Sequence, residues 1–293
     1  VLADRRPLPA RFLLLGSASP ELIRGASESL AGRVRHLDMG GFSLDEVGGA
    51  HALRLWRRGG LPMSFLAPSE EESFRWRLDF IRTHLERDLP SLGIRIPAPA
   101  LRRFWTMLAS VQAQTWNSAD LARSMGVKED TARRYLDILT GSFMIRQLQP
   151  WFENIGKRIV KAPKAYFRDT GLLHALLGLK TERQLLGYPR LGVSWEGFAI
   201  EQIIRHFDAD RDAYFYKTHG GAELDLMILR GGKRYGFEIK YADAPSITRS
   251  MHVAIEDLGL ERLWVIYPGS RRYRLSDAIE ALPLIDVASL ALR

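Results

Sequence analysis

The order of apolar and polar positions changes character along the chain. RFLLLGSAS (11–19) is a nearly continuous apolar run ending at a small-residue turn, which predicts a buried strand, and PELIRGASESLAGR (20–33), with Pro20 in its first turn, predicts a helix. In EEESFRWRLDFIRTHLERDL (70–89), Phe74, Leu78, Ile81 and Leu85 share one face of an amphipathic helix. After the Pro-rich joint SLGIRIPAPA, LRRFWTMLASVQ (101–112) reads as a helix. NSADLARSMGVKEDTARRYLDIL (117–139) then gives two helices around a tight turn at Gly126, with Asn117 or Ser118 as the first cap and Ala132, Tyr135, Leu136 and Leu139 inward on the second. That is a helix-turn-helix pattern. FMIRQLQPW (143–151) and RIVKAPKAYF (158–167) are strand-like and suit a wing. From about Asp169 the pattern is a helix at 193–206, a hairpin, a helix near 246–258 and a strand at 263–268, which predicts a mixed α/β unit.

The hairpin, ELDLMILRGGKRYGFEIKYA (223–242), carries unusual charge for a strand pair. If Gly231-Gly232 form a two-residue primed turn, Asp225 lies opposite Glu238 and Glu223 opposite Lys240. Strand alternation then puts these four on one face, and Leu224, Leu226, Ile228, Phe237, Ile239 and Tyr241 on the core face. Opposed carboxylates repel. A divalent cation, which prefers oxygen ligands, would convert that repulsion into coordination, with Lys240 positioning a nucleophile or stabilising a phosphorane. The bland alternative is a surface hairpin neutralised by Lys240 and Arg234.

Composition narrows the chemistry. Of 293 residues, 46% are hydrophobic and 26% charged, ordinary for a soluble protein. No apolar run approaches the roughly 20 residues of a membrane span and no signal peptide is visible, so a cytoplasmic setting without membrane partners is expected. Zero cysteines exclude thiolate sites, and the seven histidines show no H-x-x-x-H pair, so any metal would be held by oxygen. The net charge of +8 falls entirely within residues 1–165, and 95–165 alone hold 12 basic against 5 acidic side chains. Such a stretch suits a polyanion, with DNA the leading partner. Lys128, Thr131, Arg133 and Arg134 lie off the apolar face of the second helix, while Arg146, Lys157, Arg158, Lys161 and Lys164 suit the wing side. The competing reading is a packing module with a solvated charged face.

Asp225, Glu238 and Lys240 on a hairpin that follows a Glu-bearing helix resemble the PD-(D/E)XK nuclease superfamily. The resemblance covers roughly 166–293 and implies a mixed α/β restriction-nuclease-like domain. It makes Asp225 and Glu238 ligands of Mg²⁺ or Mn²⁺, Lys240 a catalytic cation, and Glu196 in SWEGF the helical Glu that serves as auxiliary ligand or base. Glu201 is the second choice for that position. End to end, the order of RFLLLGSASPELIRGASESLAGRV, FRWRLDFIRTHLERDLPSLGI, FRDTGLLHALLG, SWEGFAIEQI and ELDLMI…FEIKYA resembles the C-terminal two thirds of a prokaryotic AAA-type ATPase family. This implies an α/β multidomain chain with a P-loop AAA-type core remnant and helical lid at 1–94, a winged helix-turn-helix at 95–165 and the nuclease-like domain at 166–293. Ser17 would be the polar nucleotide sensor and Arg33 a phosphate-sensing arginine.

The sequence departs from that family at its phosphate loop. No G-x-x-x-x-G-K-[ST] is present, so ATP is expected as a cofactor only if an upstream segment supplies the loop. Val1 in place of Met suggests a fragment or a non-standard start. Three functions are therefore expected to compete: a divalent-metal-dependent DNA phosphodiesterase, a catalytically inactive DNA- or protein-binding regulator, and a fragment that folds only in part. A homo-oligomer or another protein partner is compatible with each.

Overall fold

Eight strands of the described residues join in one mixed sheet, in the order β2-β1-β3-β4-β5-β6-β8-β7. They are β1 (Ile145–Pro150), β2 (Lys164–Phe167), β3 (Ala213–Lys217), β4 (Glu223–Arg230), β5 (Lys233–Ile239), β6 (Arg262–Tyr267), β7 (Tyr273–Arg274) and β8 (Ile279–Pro283). The principal helices are α1 (Ala52–Arg58), α2 (Glu70–Thr83), α3 (Ala98–Ser110), α4 (Ser118–Met125), α5 (Glu129–Gly141), α6 (Thr170–Leu176), α7 (Leu191–His206) and α8 (Arg249–Leu258). The structure, a computed structural model, describes residues 16, 37–152 and 159–292. Apart from Gly16, the elements expected over 11–33 fall outside those residues, as do Ser17, Arg33, Lys157 and Arg158.

Local chemistry explains the element boundaries. The Asn117 side chain caps α4 by accepting from the Ala119 and Asp120 amides, and the helix ends at Gly126 in the left-handed region. Ala132, Tyr135, Leu136 and Leu139 of α5 are buried as the periodicity requires. At the hairpin both Gly231 (φ 58°) and Gly232 (φ 78°) take the positive φ of a primed turn. The resulting pairs, from Arg230 with Lys233 to Leu226 with Phe237, are in the register expected from the sequence.

The faces of β4 differ from simple alternation. Leu226, Ile228, Phe237 and Ile239 pack with Ile200, Ile203 and Ile204 of α7. Leu224 instead joins Met227 on the opposite face, against Met251, Ala254 and Leu258 of α8. The cause is an irregularity opposite β3: Tyr214 pairs with Met227 but Tyr216 pairs with Leu224, so Asp225 and Leu226 together oppose Phe215. One extra residue in β4 reverses its alternation there. Tyr241 also leaves the core: it is 39% exposed, with its ring resting against Trp56 and Trp195.

The pair β1–β2 extends this sheet. β1 pairs antiparallel with β2 and parallel with β3, the latter through Gln149–Tyr214 and Pro150–Phe215. The described N-terminal segment is equally integrated, since Leu44, Leu55, Trp56 and Phe65 share the core of α7. The end of α1 meets the start of α6 so closely that a Cβ on Gly171 would lie 2.1 Å from the Arg58 carbonyl oxygen.

Trp56 Nε1 donates to Ser194 Oγ at 3.0 Å. That oxygen lies 2.7 Å from His174 Nε2, and His174 Nδ1 lies 3.1 Å from the Arg57 carbonyl oxygen. A carbonyl only accepts, so Nδ1 carries the proton, Ser194 donates to Nε2, and the ring is neutral. Burial lowers its pKa to about 4. A depressed folded-state pKa gives stability that is complete above pH 6.5 and lost as pH falls toward 4. At pH 5 the loss should be about 2 kcal/mol. Urea melts of wild type and His174→Gln at pH 7 and pH 5 check this: the wild-type loss between the two should exceed that of the variant by that amount.

Candidate functional site

The hairpin register ends at the Leu226–Phe237 pair. One step further, the Ile239 amide donates to Asp225 Oδ2 at 2.9 Å, so a side-chain carboxylate stands in the ladder where the strands part. The Lys240 amide turns to Ile266 of β6. Asp225 and Glu238 are thereby buried, at 8% and 5% exposure, at the mouth of a fork between β4 and β5.

Glu196 reaches this fork from α7. Tyr166 on β2 donates to Glu196 Oε1 at 2.6 Å. Beside it, Lys164 Nζ lies 3.5 Å from the same oxygen, 2.6 Å from Glu223 Oε1 and 3.8 Å from Asp225 Oδ1. The Lys164 side chain is only 3% exposed. Lys240 Nζ lies 2.7 Å from Glu238 Oε1, and Lys217 Nζ lies 2.7 Å from Glu223 Oε2. The four residues expected from the sequence, Glu196, Asp225, Glu238 and Lys240, are brought together. Two pairings differ: Glu223 answers to Lys164 and Lys217, not Lys240, and Arg234 donates to the Leu258 carbonyl at 2.8 Å.

Burial raises the pKa of both Glu196 and Glu238, and the charge of Asp225 adds to the effect. Lys164 works against the rise at Glu196 and Lys240 against that at Glu238. For Lys164 itself burial opposes the charged form, yet Tyr166, Glu196, Asp225 and Glu223 together hold the ammonium well above its ordinary pKa. Glu238 Oε2 is buried without a hydrogen-bond partner among the described residues.

The oxygen donors suit Mg²⁺ or Mn²⁺ in kind but not in arrangement. Lys164 fills the space between three of the four carboxylates, and among the described residues no three His, Asp or Glu side chains are placed to share a metal ion. Nothing in the local sequence marked Lys164, which suited a DNA-facing wing. The structure buries all four residues of KAYF, which Lys164 heads.

Glu201, one helical turn and more beyond Glu196, has a separate duty. Arg146 Nε donates to it at 2.7 Å and Arg168 Nε at 3.2 Å, while Arg146 also reaches Asp210 at 2.7 Å. Despite burial, these charges lower the Glu201 pKa to about 2. Arg146 and Lys164 thus face inward and not toward an outside phosphate. Lys128, the N-cap of α5, and Arg133 and Arg134 on it are exposed, and Thr131 is half-buried. Glu129, Asp130 and Asp137 are exposed on the same helix and balance them.

A cleft of about 870 Å³ opens beyond the ends of β5 and β6, lined by Tyr241, Asp243, Tyr267, Arg271, Arg272 and Tyr273 among others, and none of the acid-centre side chains lines it. Among the described residues no helix is long and apolar enough to cross a membrane.

Residues 50–183 match the family model described as Domain of unknown function (DUF8612), and residues 191–287 match Domain of unknown function (DUF4143). The first match runs across both the 94/95 and the 165/166 boundaries expected from the sequence. The chain is 54% identical over 283 residues to Uncharacterized protein Rv2008c of Mycobacterium tuberculosis and to Uncharacterized protein Mb2031c of Mycobacterium bovis. Each alignment covers 97% of this chain and 64% of the relative, so the chain spans just under two thirds of the length of the curated relatives it matches. No solved structure matches.

The two glutamates of α7 should respond oppositely to neutralisation. Glu201→Gln removes the buried carboxylate that Arg146 and Arg168 share, leaving them only Asp210 and Asp38, and should cost about 3 kcal/mol. Glu196→Gln relieves carboxylate repulsion and should change stability by less than about 1 kcal/mol. Urea denaturation at pH 7 measures both.

Proposed function

We propose, for a chain that pairs a DUF8612 with a DUF4143 match and has longer relatives, that it is a DNA-binding regulatory module. On this reading it is built on a PD-(D/E)XK-like scaffold whose acid centre is at rest. One observation carries this: the carboxylates of Glu196, Glu223, Asp225 and Glu238 are met from within by Lys164, Lys217 and Lys240. A centre in which three lysines already answer four carboxylates has reduced electrostatic demand for an outside cation.

The DNA-binding part rests on reading the layout of α4 and α5 around Gly126, followed by the β1–β2 pair, as a winged helix. Arg133 and Arg134 on α5 and Lys128 at its N-cap are exposed, with Thr131 half-buried on the same helix. Because acidic residues balance that helix, phosphate contacts there are few and the affinity is modest and salt-sensitive. An ATP-driven, AAA-type rearrangement of the module belongs to this proposal only through a phosphate loop outside the present sequence.

The unpartnered Glu238 Oε2 supports a second reading, a DNA phosphodiesterase dependent on Mg²⁺ or Mn²⁺, with Asp225, Glu238 and Glu196 as its acids and Lys240 as its cation. The experiment is binding and cleavage of linear, branched and single-stranded DNA by the purified chain in Mn²⁺. The regulatory reading expects retained binding, no cutting, and about a tenfold loss of affinity in Arg133→Ala/Arg134→Ala that shrinks as salt rises. Cutting that disappears in Glu238→Ala would establish the second reading, and absence of binding would remove the first.

A further inference from the structure

We infer that Lys164 is the built-in counter-cation of the acid centre, and that its ammonium and a divalent metal ion exclude one another there. The inference deepens the resting-centre reading and rests on it. Its basis is position. Lys164 Nζ is within 4 Å of carboxylate oxygens from three residues on two different elements: Glu196 on α7, and Glu223 and Asp225 on β4. It also lies 5.5 Å from the centre of the Phe215 ring, the side chain opposite the Asp225–Leu226 irregularity. An ammonium so enclosed has exchanged its water for carboxylates, which is the relation a bound metal would have to the same oxygens.

Electrostatics make the exclusion reciprocal. A divalent ion among Glu196, Asp225 and Glu238 would stand within a few ångströms of Lys164 in a medium that screens poorly, where like charges repel strongly. The lysine therefore has to leave before the ion enters.

Lys164 is carried on a different strand pair from the carboxylates it neutralises. Its backbone belongs to the β1–β2 pair, through Leu148, and forms a bridge to Thr115 just before α4. The Trp116 amide donates to the neighbouring Pro163 carbonyl at 2.7 Å. The cation that closes the centre is thus carried by the helix-turn-helix side of the molecule. Withdrawal of β2 would take Lys164 away from Asp225 and Glu223 together.

The test is calorimetric titration of Mn²⁺, without DNA, into wild type, Lys164→Met and Lys164→Gln, with melting in EDTA and in Mn²⁺ as a parallel readout. Lys164→Met or Lys164→Gln should gain a stoichiometric Mn²⁺ site at least about tenfold tighter than any in wild type. If the change unfolds the protein in EDTA, native circular dichroism should return in Mn²⁺. Asp225→Asn added to either variant should abolish the gain. A wild type that binds Mn²⁺ as tightly as the variants, through Asp225, overturns the inference. So does failure of both variants to gain binding or metal-dependent folding. Since no nucleic acid is present, failure here is distinguishable from failure of the DNA-binding reading.

Discussion

The arrangement of this molecule depends on one buried carboxylate. Glu201 sits on α7 between Arg146, on β1, and Arg168, immediately after β2, and the three side chains are nearly free of solvent. A charge taken out of water needs its partners, and here both partners lie on the same strand pair. Glu201 therefore sets where β1 and β2 lie along α7. With that fixed, Tyr166 and Lys164 of β2 can reach Glu196, five residues earlier on the same helix. The acid centre is a consequence of the clamp beside it.

The centre itself is a balance of unfavourable parts. Glu196, Glu223, Asp225 and Glu238 are crowded in a setting where like charges are weakly screened, and a bare buried ammonium would be as costly as a bare carboxylate. Together they are tolerable. The pKa shifts express this mutual dependence: Glu196 and Glu238 are driven toward holding a proton, and Lys164 is driven toward keeping its own. The apolar layers on both faces of the sheet, from Ile200 and Phe237 on one side to Leu224 and Leu258 on the other, keep water from softening that balance.

What the sequence revealed was local. The Gly231-Gly232 turn determined the β4–β5 register because a primed two-residue turn leaves no freedom, and Asn117 and Gly126 bounded α4 because capping is a matter of neighbouring atoms. The pairing of Lys164 with residues 32 to 61 positions away had no such signature, and a basic residue in a strand-like run reads equally well as a wing facing phosphate. Leu224 was misplaced because an extra residue in β4 is imposed by β3, which periodicity within β4 does not report. Arg146 was misread as surface for a related reason: its partners, Glu201 and Asp210, come from a different element and the loop after it. Nonlocal charge pairing was the part hidden from a reading of one chain.

The sheet also has a mechanical character. Five residue pairs join β4 to β5, five join β5 to β6 and five join β6 to β8, but the internal seam between β1 and β3 has two. Under tension between β1 and β3 that seam has few ladder pairs to lose, and the Arg146–Glu201 and Lys164–Glu223 ion pairs beside it carry the load. Parting there would pull Leu148 of β1 and Tyr166 of β2 out of the core they share with α7 and would bare the backbone of β3 as a raw edge able to accept a strand from another chain.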